Sequence, residues 1–521
     1  MWREQLSPLE KALVTTLLKP FAMAEDAVFL RVAYIVMAAR QGHLCVKISA
    51  EGLDPPFDQV MEGEDLTAQI IAAQIPPGLV SEGPSTPLCC WGNLYYLQRH
   101  WVYETQIWRH LTRLMSMRPK KALHAFDPKG LLPQQEEAIC RVLRSGFTLL
   151  TGGPGSGKTY TAAHLIRCFL GCDEPRIALT APTGKAVSRL QAGLGRSLTE
   201  KVVSSTLHRL IGPALREGFE ELLPLPYDLI LVDEASMVDV RLMAYLFASV
   251  ADGARLVLLG DRDQLPSVEA GSLFGDLAAL EILQGHVARL GGSQRTSSSE
   301  LHRLASGIAV GDADQVLGLL SQPDLQHITM SDFPGERPYP LYQSLWKEVQ
   351  KAFYGGSADF SRLCILTPLR RGPWGADAIN DFLIDRVRGS SFPIIIEVND
   401  YRQELYNGEV GVMSGERAQF GERSFHKTLL PRYSAAFCLS VHKSQGSEFE
   451  RVILLLPPGS EPFGREVLYT AVSRARSQLH IVGSRETIRG LLGRRSIRRS
   501  GLAERSRADR DVMPATAREG R

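Results

Sequence analysis

A glycine-rich octapeptide constrains this chain more than any other feature of its sequence. The stretch Gly152-Gly-Pro-Gly-Ser-Gly-Lys158-Thr159 follows the apolar run Phe147-Thr-Leu-Leu150 and fits the pattern G-x-x-x-x-G-K-[ST]. Glycines let the backbone turn several N–H groups towards a polyphosphate, and a helix that begins at the lysine adds its positive end. The pattern therefore predicts a buried strand, a phosphate-binding loop and a helix, rather than a plain glycine-rich turn.

The expected ligand of this loop is a nucleoside triphosphate with its magnesium ion. The lysine of such loops neutralises the β- and γ-phosphates, and the hydroxyl that follows it helps to hold Mg²⁺. We therefore expect the triphosphate to contact Gly152, Gly153, Pro154, Gly155, Ser156, Gly157, Lys158 and Thr159.

Two later strand-like runs end in polar side chains that suit the same chemistry. The run 229–232 leads directly into Asp233 and Glu234, and the run 256–259 leads into a loop that carries Gln264. Because ligands of parallel α/β sheets sit at the carboxyl ends of strands, we expect Asp233 to hold Mg²⁺ together with Thr159. Glu234 is expected to orient and deprotonate an attacking water. Gln264 is expected to bind the γ-phosphate or that water, unless it simply faces solvent.

Length and charge limit the kind of protein that this chain can be. It has 521 residues, enough for roughly three or four domains. Lysine and arginine (59) barely outnumber aspartate and glutamate (57), so any nucleic acid must bind in a local groove. Eight scattered cysteines without a C-x-x-C pair favour a reducing compartment and predict no zinc site. We find no signal peptide and no membrane-length apolar run, so we expect a soluble cytoplasmic protein.

The periodicity of the sequence predicts four regions. Residues 1–124 read as a mainly helical N-terminal domain with one short strand, at 43–48. From 125 strands and helices alternate, which predicts parallel α/β domains over 125–335 and 336–484. Short strand-like pieces predict a small β insertion at about 392–433. The arginine-rich end, 485–521, is predicted to be disordered or to make a weak electrostatic contact.

Seven further stretches occur in a characteristic order and resemble the motifs of superfamily 1B DNA helicases over roughly 130–484. They are Leu131-x-x-x-Gln135-x-x-Ala138, Thr180-Ala-Pro-Thr-Gly-Lys-Ala186, Thr206-Leu-His-Arg-Leu210, Val232-Asp-Glu-Ala-Ser-Met237, Leu259-Gly-Asp-Arg-Asp-Gln-Leu-Pro266, Val441-His-Lys-Ser-Gln-Gly-Ser-Glu-Phe449 and Tyr469-Thr-Ala-Val-Ser-Arg-Ala-Arg476. The resemblance implies two RecA-like parallel-sheet motor domains that clamp ATP between them, and movement along a single strand in the 5′–3′ direction.

The same resemblance assigns further site residues. Gln135 matches the residue that recognises adenine, and Arg474 matches an arginine that the second motor domain contributes to the ATP site. Arg295 matches a second such arginine, although Gln294 stands where the family has an aromatic residue. Arg474 and Arg476 alone would read equally well as solvated charges. Single-stranded DNA is expected to contact Pro182, Thr183, Lys185, His208, His442 and Ser444, with Trp374 as a stacking platform or a core residue.

Within the superfamily, the chain resembles the RecD subunits of RecBCD enzymes, the α chains of exodeoxyribonuclease V. The stretches that carry this narrower resemblance are Gly42-His-Leu-Cys-Val46, Leu97-Gln-Arg-His-Trp101 and Arg371-Gly-Pro-Trp-Gly375. It implies a motor subunit that docks onto RecB- and RecC-like partners through its N-terminal domain, acts at DNA ends in double-strand break repair by homologous recombination, and leaves the nuclease activity to a partner chain.

Three other functions have some support in the sequence. A free-standing RecD-like helicase would share the motor motifs, but such relatives tend to carry longer N-terminal regions with helix–hairpin–helix elements. A non-motor ATPase that locks an assembly would not need Glu234, Gln264 and Arg474. A nuclease is suggested only by Asp127-Pro-Lys129, an isolated D-x-K at a proline turn without flanking strand carboxylates.

Overall fold

The chain forms an N-terminal domain, two parallel-sheet motor domains and a small antiparallel insertion. The computed structural model describes residues 2–21, 25–121, 128–267, 269–271, 273–291, 299–335, 337–353, 360, 362–387, 390–400, 402–496 and 498–512. The predicted fold class, two RecA-like α/β motor domains with an added N-terminal domain, is confirmed. In the described parts of the chain, no helix has both the length and the hydropathy needed to cross a membrane.

The N-terminal domain packs helices on one mixed sheet. Its helices are α1 (Pro8–Leu18), α2 (Asp26–Arg40), α3 (Phe57–Val60), α4 (Thr67–Ala72) and α5 (Gln98–Ser116), and its strands are β1 (Cys45–Ser49), β2 (Gly52–Asp54), β3 (Val80–Ser81), β4 (Leu88–Trp91) and β5 (Leu94–Leu97). Helical residues outnumber strand residues in this domain, as predicted. Of the five strands in the sheet β2-β1-β5-β4-β3, only β1 was predicted from the sequence. The other strands have two to four residues, too few to show an alternating pattern.

The first motor domain is a six-stranded parallel sheet in the order β11-β6-β10-β9-β7-β8. Apolar side chains cover both faces, so the strands read as unbroken hydrophobic runs. The strands are β6 (Phe147–Gly152), β7 (Ile177–Ala181), β8 (Val203–Thr206), β9 (Leu229–Val232), β10 (Arg255–Gly260) and β11 (Val287–Leu290). The helices are α6 (Pro133–Arg144), α7 (Lys158–Leu170), α8 (Gly184–Leu194), α9 (Arg196–Thr199), α10 (Leu207–Leu210), α11 (Ala214–Glu217), α12 (Val240–Ser249) and α13 (Leu273–Ala279).

The second motor domain begins earlier than predicted. Helices α14 (Ser299–Val310) and α15 (Ala313–Leu320) pack into its core, and β12 (Ile328–Ser331) pairs in parallel with β21 (Ala475–Gly483). The division between the motor domains therefore falls between β11 and α14 rather than at 335, because β12 completes the second sheet.

Two sheets make up the rest of this half of the chain. The parallel motor sheet has the order β12-β21-β20-β13-β19, and the predicted insertion corresponds to an antiparallel sheet in the order β17-β16-β15-β14-β18. The remaining strands are β13 (Leu363–Thr367), β14 (Phe392–Ile396), β15 (Val410–Ser414), β16 (Arg417–Phe420), β17 (Arg423–His426), β18 (Tyr433–Ala435), β19 (Cys438–Ser440) and β20 (Phe449–Leu456). The remaining helices are α16 (Pro338–Phe353), α17 (Ala376–Val387), α18 (Arg465–Val472), α19 (Arg485–Gly493) and α20 (Leu502–Val512).

The prediction that the chain is disordered from 485 is wrong for residues 485–496 and 498–512. Helix α19 packs in the core of the second motor domain, and residues 494–496 and 498–512, which we call the C-terminal strap, cross to the N-terminal domain. Leu502 is completely buried against the first motor domain. The arginines that suggested disorder instead find distant partners: Arg499 pairs with Asp54, and Arg505 pairs with Glu104.

A buried carboxylate anchors the end of the C-terminal strap. Glu104 is completely buried, and it accepts hydrogen bonds from Tyr96 Oη (2.9 Å), Gly501 N (2.8 Å) and Arg505 Nε (2.9 Å). Burial raises the pKa of Glu104, and the charge of Arg505 works against that rise. Removing the arginine would leave the carboxylate buried without its countercharge.

We predict that Arg505→Ala lowers the free energy of unfolding by about 3 kcal/mol, the usual effect of breaking a buried ion pair. Urea unfolding followed by tryptophan fluorescence suits this measurement, because Arg505 lies over the rings of Trp91 and Trp101. Arg507→Ala, an exposed position on the same helix, is the matched control and should cost less than about 0.5 kcal/mol. Equal midpoints for the two variants would show that the strap is not anchored at Glu104.

Candidate nucleotide and nucleic-acid site

The phosphate-binding loop lies between β6 and α7 at the carboxyl edge of the first motor sheet. Its last residue, Gly157, has φ +88° and lies so close to Gln135 that a Cβ would collide with the Gln135 amide nitrogen. Gln135 is buried, and its Oε1 accepts a hydrogen bond from Leu132 N (3.0 Å). The structure thus places Gln135 as a support between the start of α6 and the loop.

The loop concentrates hydrogen-bond donors that suit a polyphosphate. Lys158 Nζ donates to Gly152 O (2.5 Å) and Gly153 O (3.0 Å), and so holds its charge at the loop itself. The Ser156 hydroxyl is buried, and no described residue forms a hydrogen bond with it. Helix α7 spans 13 residues and points its N-terminus at the same place, which favours an anion there.

Two carboxylates face the loop from the end of β9. Burial and the neighbouring charge of Glu234 raise the pKa of Asp233 to about 6, while Lys158 works against that rise. Asp233 Oδ1 accepts a hydrogen bond from Glu234 N (2.9 Å). Glu234 has φ +50°, a left-handed conformation that is uncommon outside glycine and that clusters at functional sites.

Thr159 and Asp233 fit a magnesium ion bound together with phosphates. Both side chains line one cleft with Lys158 and Glu234. Mg²⁺ in such sites takes one or two protein oxygens and completes its shell with water and substrate phosphates. A cation bound beside Asp233 would favour the ionised carboxylate, against the burial and the Glu234 charge that raise its pKa. No cluster of three or more His, Cys, Asp or Glu side chains that could hold a metal occurs within the parts of the chain that the structure describes.

A second polar cluster follows β10. Asp261 is buried and accepts hydrogen bonds from Asp263 N, Gln264 Nε2 and Tyr469 Oη, each at 3.1 Å. Gln264 is only 7% exposed, so it does not face solvent, and its Oε1 has no hydrogen-bond partner among the residues that the structure describes. This oxygen lines the cleft and is free to accept a hydrogen bond from a ligand or a water.

The second motor domain contributes a buried arginine to the same cleft. Arg474 Nε donates to Thr470 O, Nη1 to Ser447 O and Nη2 to Ser473 Oγ, all at 3.0 Å. Burial lowers the pKa of Arg474, and the charge of Glu234 works against that shift. Arg474 is therefore no solvated charge, whereas Arg476 is largely exposed and pairs with Glu448 (3.2 Å). Arg295 lies outside the described residues.

Sequence reasoning missed two residues that join the domains at this cleft. Arg189 on α8 pairs with Glu448 of the second motor domain and donates to Gly446 O (3.3 Å). Both side chains line the nucleotide cleft. Their positions within or just after recognised motifs were the available signal, but the pairing depends on how the two domains meet.

A cavity of about 260 Å³ adjoins the phosphate-binding loop. Its walls come from the loop, β11, α14 and α18, and they include Leu290, Tyr469 and Val472. Gln135 is not among its lining residues. The cavity offers an apolar space for the nucleoside end of the ligand, next to the polar cleft for the phosphates.

The residues predicted to contact single-stranded DNA differ in their burial and in their contacts. Lys185 donates to the Ser447 hydroxyl across the domain boundary, and burial lowers the pKa of Lys185 to about 8. Pro182 and His442 are half-buried, Thr183 accepts a hydrogen bond from Ala186 N as the N-cap of α8, and His208 is exposed. Ser444 does not fit the prediction, because it is completely buried and its hydroxyl donates to Val441 O (2.7 Å).

Trp374 is half-buried and packs edge-on against Phe333, with ring centroids 4.6 Å apart. That contact suits a residue at the edge of the core and leaves part of the ring exposed.

A polar cavity of about 420 Å³ opens between the first motor domain and the β insertion. Ser204, Ser205 and Thr206 line one side, and Tyr406 and Arg423 line the other. Arg209, which follows His208, also lines it. Hydroxyls, arginines and an aromatic ring are the groups that a single-strand groove needs.

Comparison with known proteins decides the family. The AAA domain family matches residues 130–330, and the UvrD-like helicase C-terminal domain family matches 435–482. The RecBCD enzyme subunit RecD of Mycolicibacterium smegmatis is 34% identical over 93% of this chain and 94% of its own length. The chain belongs to the RecD family. This membership confirms the prediction of an ATP-dependent DNA helicase motor that the motifs made.

Two further comparisons differ in how much of each chain they cover. The ATP-dependent RecD2 DNA helicase of Deinococcus radiodurans is 32% identical over 75% of this chain, but over only 54% of its own length. Among solved structures, two coordinating Pif1 helicases at forked double-stranded DNA give a TM-score of 0.44 at 16% identity, covering 73% of this chain and 98% of theirs.

The N-terminal stretches that carried the narrower resemblance lie against the chain's own C-terminal strap. His43 Nδ1 accepts a hydrogen bond from Arg499 N (3.0 Å), and His100 is 2% exposed. Cys45 and Tyr96 share a small buried cluster. Any partner-docking surface of this RecD-family chain must therefore use neighbouring exposed residues rather than the buried side chains of these stretches.

We predict that Glu234→Gln retains ATP binding and lowers kcat for ATP hydrolysis by about 10²- to 10⁴-fold, the usual effect of losing a general base. Fluorescent-nucleotide titration and a steady-state phosphate-release assay would separate the two quantities. Glu200→Gln, an exposed position on α9's C-terminal side, is the control and should leave both unchanged. Turnover near the wild-type rate in Glu234→Gln would contradict the assigned role.

Proposed function

We propose that this RecD-family chain is the ATP-driven 5′–3′ motor subunit of a RecBCD-type helicase–nuclease complex. In this proposal it moves along single-stranded DNA from DNA ends during double-strand break repair by homologous recombination, in the cytoplasm. The observation that carries the proposal is the shared cleft, to which the first motor domain contributes Lys158, Glu234 and Gln264 and the second contributes Arg474. A cleft built from both domains changes shape when its ligand changes.

The protein side chains divide the work of hydrolysis. Lys158 neutralises phosphate charge, Glu234 takes a proton from the attacking water, and Gln264 Oε1 orients that water. Arg474 stabilises the charge that develops on the transferring phosphoryl group, a contribution worth about 10³- to 10⁵-fold in rate where such arginines have been removed. Mg²⁺, held by Thr159 and Asp233, would supply additional positive charge at the phosphate oxygens.

Hydrolysis is coupled to strand movement through α8. This helix carries Lys185 and Arg189, which both reach residues 446–448 of the second motor domain. Loss of the γ-phosphate weakens the contacts that both domains make with the nucleotide. The polar cavity beside α8 therefore changes shape with each turnover. Alternating grip on one strand then gives directional stepping, for which the family resemblance implies 5′–3′ polarity.

The partners that we propose are RecB- and RecC-like chains in a heterotrimer. The RecD relative of Mycolicibacterium smegmatis aligns over 93% of this chain, whereas the RecD2 helicase of Deinococcus radiodurans aligns over 75% of it. That contrast favours a subunit over a free-standing helicase. For the nuclease alternative, Asp127 lies outside the described residues, and Lys129 stands at a turn.

We predict a salt-dependent preference for single strands. Log affinity should fall against log salt with a slope of about −0.7 for each phosphate that is neutralised. Lys185→Ala should flatten that slope by less than about one unit, because it removes one phosphate contact. Fluorescence anisotropy with oligo(dT) measures this, and Lys201→Ala, an exposed lysine outside the groove, is the control. A slope near zero, or tighter binding to blunt duplex, would rule out a strand-tracking groove.

We also predict that the isolated chain hydrolyses ATP on single strands but unwinds long duplex poorly. Each base-pair step costs about 1.4 kcal/mol of stacking to open, and a partner chain is expected to supply the wedge that separates the strands. Gel assays on 5′- and 3′-tailed duplexes, with and without RecB- and RecC-like subunits, would test this. We expect processive unwinding only on reconstitution. Processive unwinding by the chain alone would favour a free-standing helicase, and ATPase activity that DNA does not stimulate would favour a non-motor ATPase.

A further inference from the structure

The C-terminal strap connects the second motor domain to both other domains. Where it leaves α19, Arg494 O accepts a hydrogen bond from Arg465 N (3.0 Å), and Ser496 N donates to Glu466 Oε2 (3.0 Å). A few residues later, Arg499 O accepts from Leu44 N (2.8 Å) in the N-terminal domain. The strap therefore starts at the first turn of α18, the helix that leads to Arg474.

Between these two anchors, Arg498 inserts into the first motor domain. Its Nη1 donates to Ser267 O (2.6 Å), Glu269 O (2.7 Å) and, more weakly, Gly271 O (3.4 Å). The contact is tight, because a Cβ on Gly42 would lie 2.6 Å from Arg498 Nε, and Gly42 has φ +98°. Within the described ranges Arg498 forms no salt bridge with a carboxylate, and its hydrogen bonds there go to backbone carbonyl oxygens.

The loop that Arg498 holds is the one that carries Gln264. At its near end, Leu265 N donates to Thr470 Oγ1 (2.9 Å), and Leu265 O accepts from Gln445 Nε2 (3.0 Å). At its far end, Ser267 Oγ donates to Glu269 O (3.0 Å) and Gly271 O (3.1 Å), the carbonyls that Arg498 also contacts. The second motor domain thus fixes the start of the loop, and the C-terminal strap fixes its end.

We propose that Arg498 is a positioning residue for ATP hydrolysis, which holds Ser267, Glu269 and Gly271 so that Gln264 points into the nucleotide cleft. The inference rests on the proposed ATPase function and extends it to a residue outside every recognised motif. Helix α18 is connected to this loop by two routes. The direct route is the hydrogen bond that Thr470 accepts from the loop. The indirect route runs through Glu466, Ser496 and Arg498. Movement of α18 during the ATP cycle therefore reaches Gln264 by two routes, and one of them also touches the N-terminal domain.

The first test is the steady-state ATPase of the full chain on oligo(dT). Arg498→Ala should lower kcat by about 10- to 100-fold, the scale on which small misplacements of a catalytic group act. The KM for ATP should stay within about twofold, because the phosphate-binding loop is untouched. Arg498→Lys keeps the charge on a shorter reach and should give an intermediate kcat. Asp509→Ala, which removes the bond from Trp108 Nε1 to the strap far from the loop, should match wild type.

A double variant separates positioning from general stability. If Arg498 acts through Gln264, adding Arg498→Ala to Gln264→Ala should change kcat by no more than about twofold, whereas independent effects would multiply. Multiplied losses, or a wild-type kcat in Arg498→Ala, would overturn the inference. If Arg498→Ala does not fold, the same comparison with Arg498→Lys decides. A normal ATPase in Gln264→Ala would instead refute the role of Gln264 in the proposed function.

Discussion

The structure depends on one buried set of opposite charges, shared by two domains. Lys158, Asp233 and Glu234 lie on the first motor domain, and Arg474 enters their cleft from the second. Burial raises the pKa of Asp233 to about 6 and lowers that of Arg474, so each charge depends on the others for stability. Glu234 of the first motor domain lies near the charge of Arg474 from the second, so docking of the two domains completes the site. In the proposed function, a triphosphate with its cation adds further charges to this set, and its arrival and loss act on both domains.

Connections from this cleft spread to the rest of the chain. Helix α8 reaches the second motor domain beside the polar cavity proposed for a single strand, and the loop that carries Gln264 is held by α18 and the C-terminal strap. The strap then ends on the buried carboxylate of Glu104 in the N-terminal domain. The nucleotide cleft, the polar cavity and the N-terminal domain are therefore linked by hydrogen bonds and ion pairs. The proposed function of a motor subunit in a larger assembly would use such links.

Sequence reasoning succeeded for residues whose type and place in a strand–loop–helix pattern are enough to fix their position in the fold. The phosphate-binding loop, Asp233 and Gln264 all follow buried parallel strands, and such strands deliver their ends to one edge of a sheet. It failed where the outcome depends on distant partners. Arg499 and Arg505 lie in the segment that the sequence predicts to be disordered or to make a weak electrostatic contact, but the fold brings Asp54 and Glu104 to them. Ser444 sits in a motif, but a local turn buries its hydroxyl. The short N-terminal strands gain their stability from tertiary packing, which leaves little periodic signal in their sequence.

Stopped-flow translocation on single strands of increasing length tests the central claim most directly, that turnover in the shared cleft moves the chain along DNA. The isolated chain is mixed with ATP and a protein trap on oligo(dT) labelled at one end. With the label at the 3′ end, the account predicts a lag that grows in proportion to strand length, and ATP consumed per run that grows with it. With the label at the 5′ end, no lag is expected. A signal that is independent of length at both ends would contradict the account.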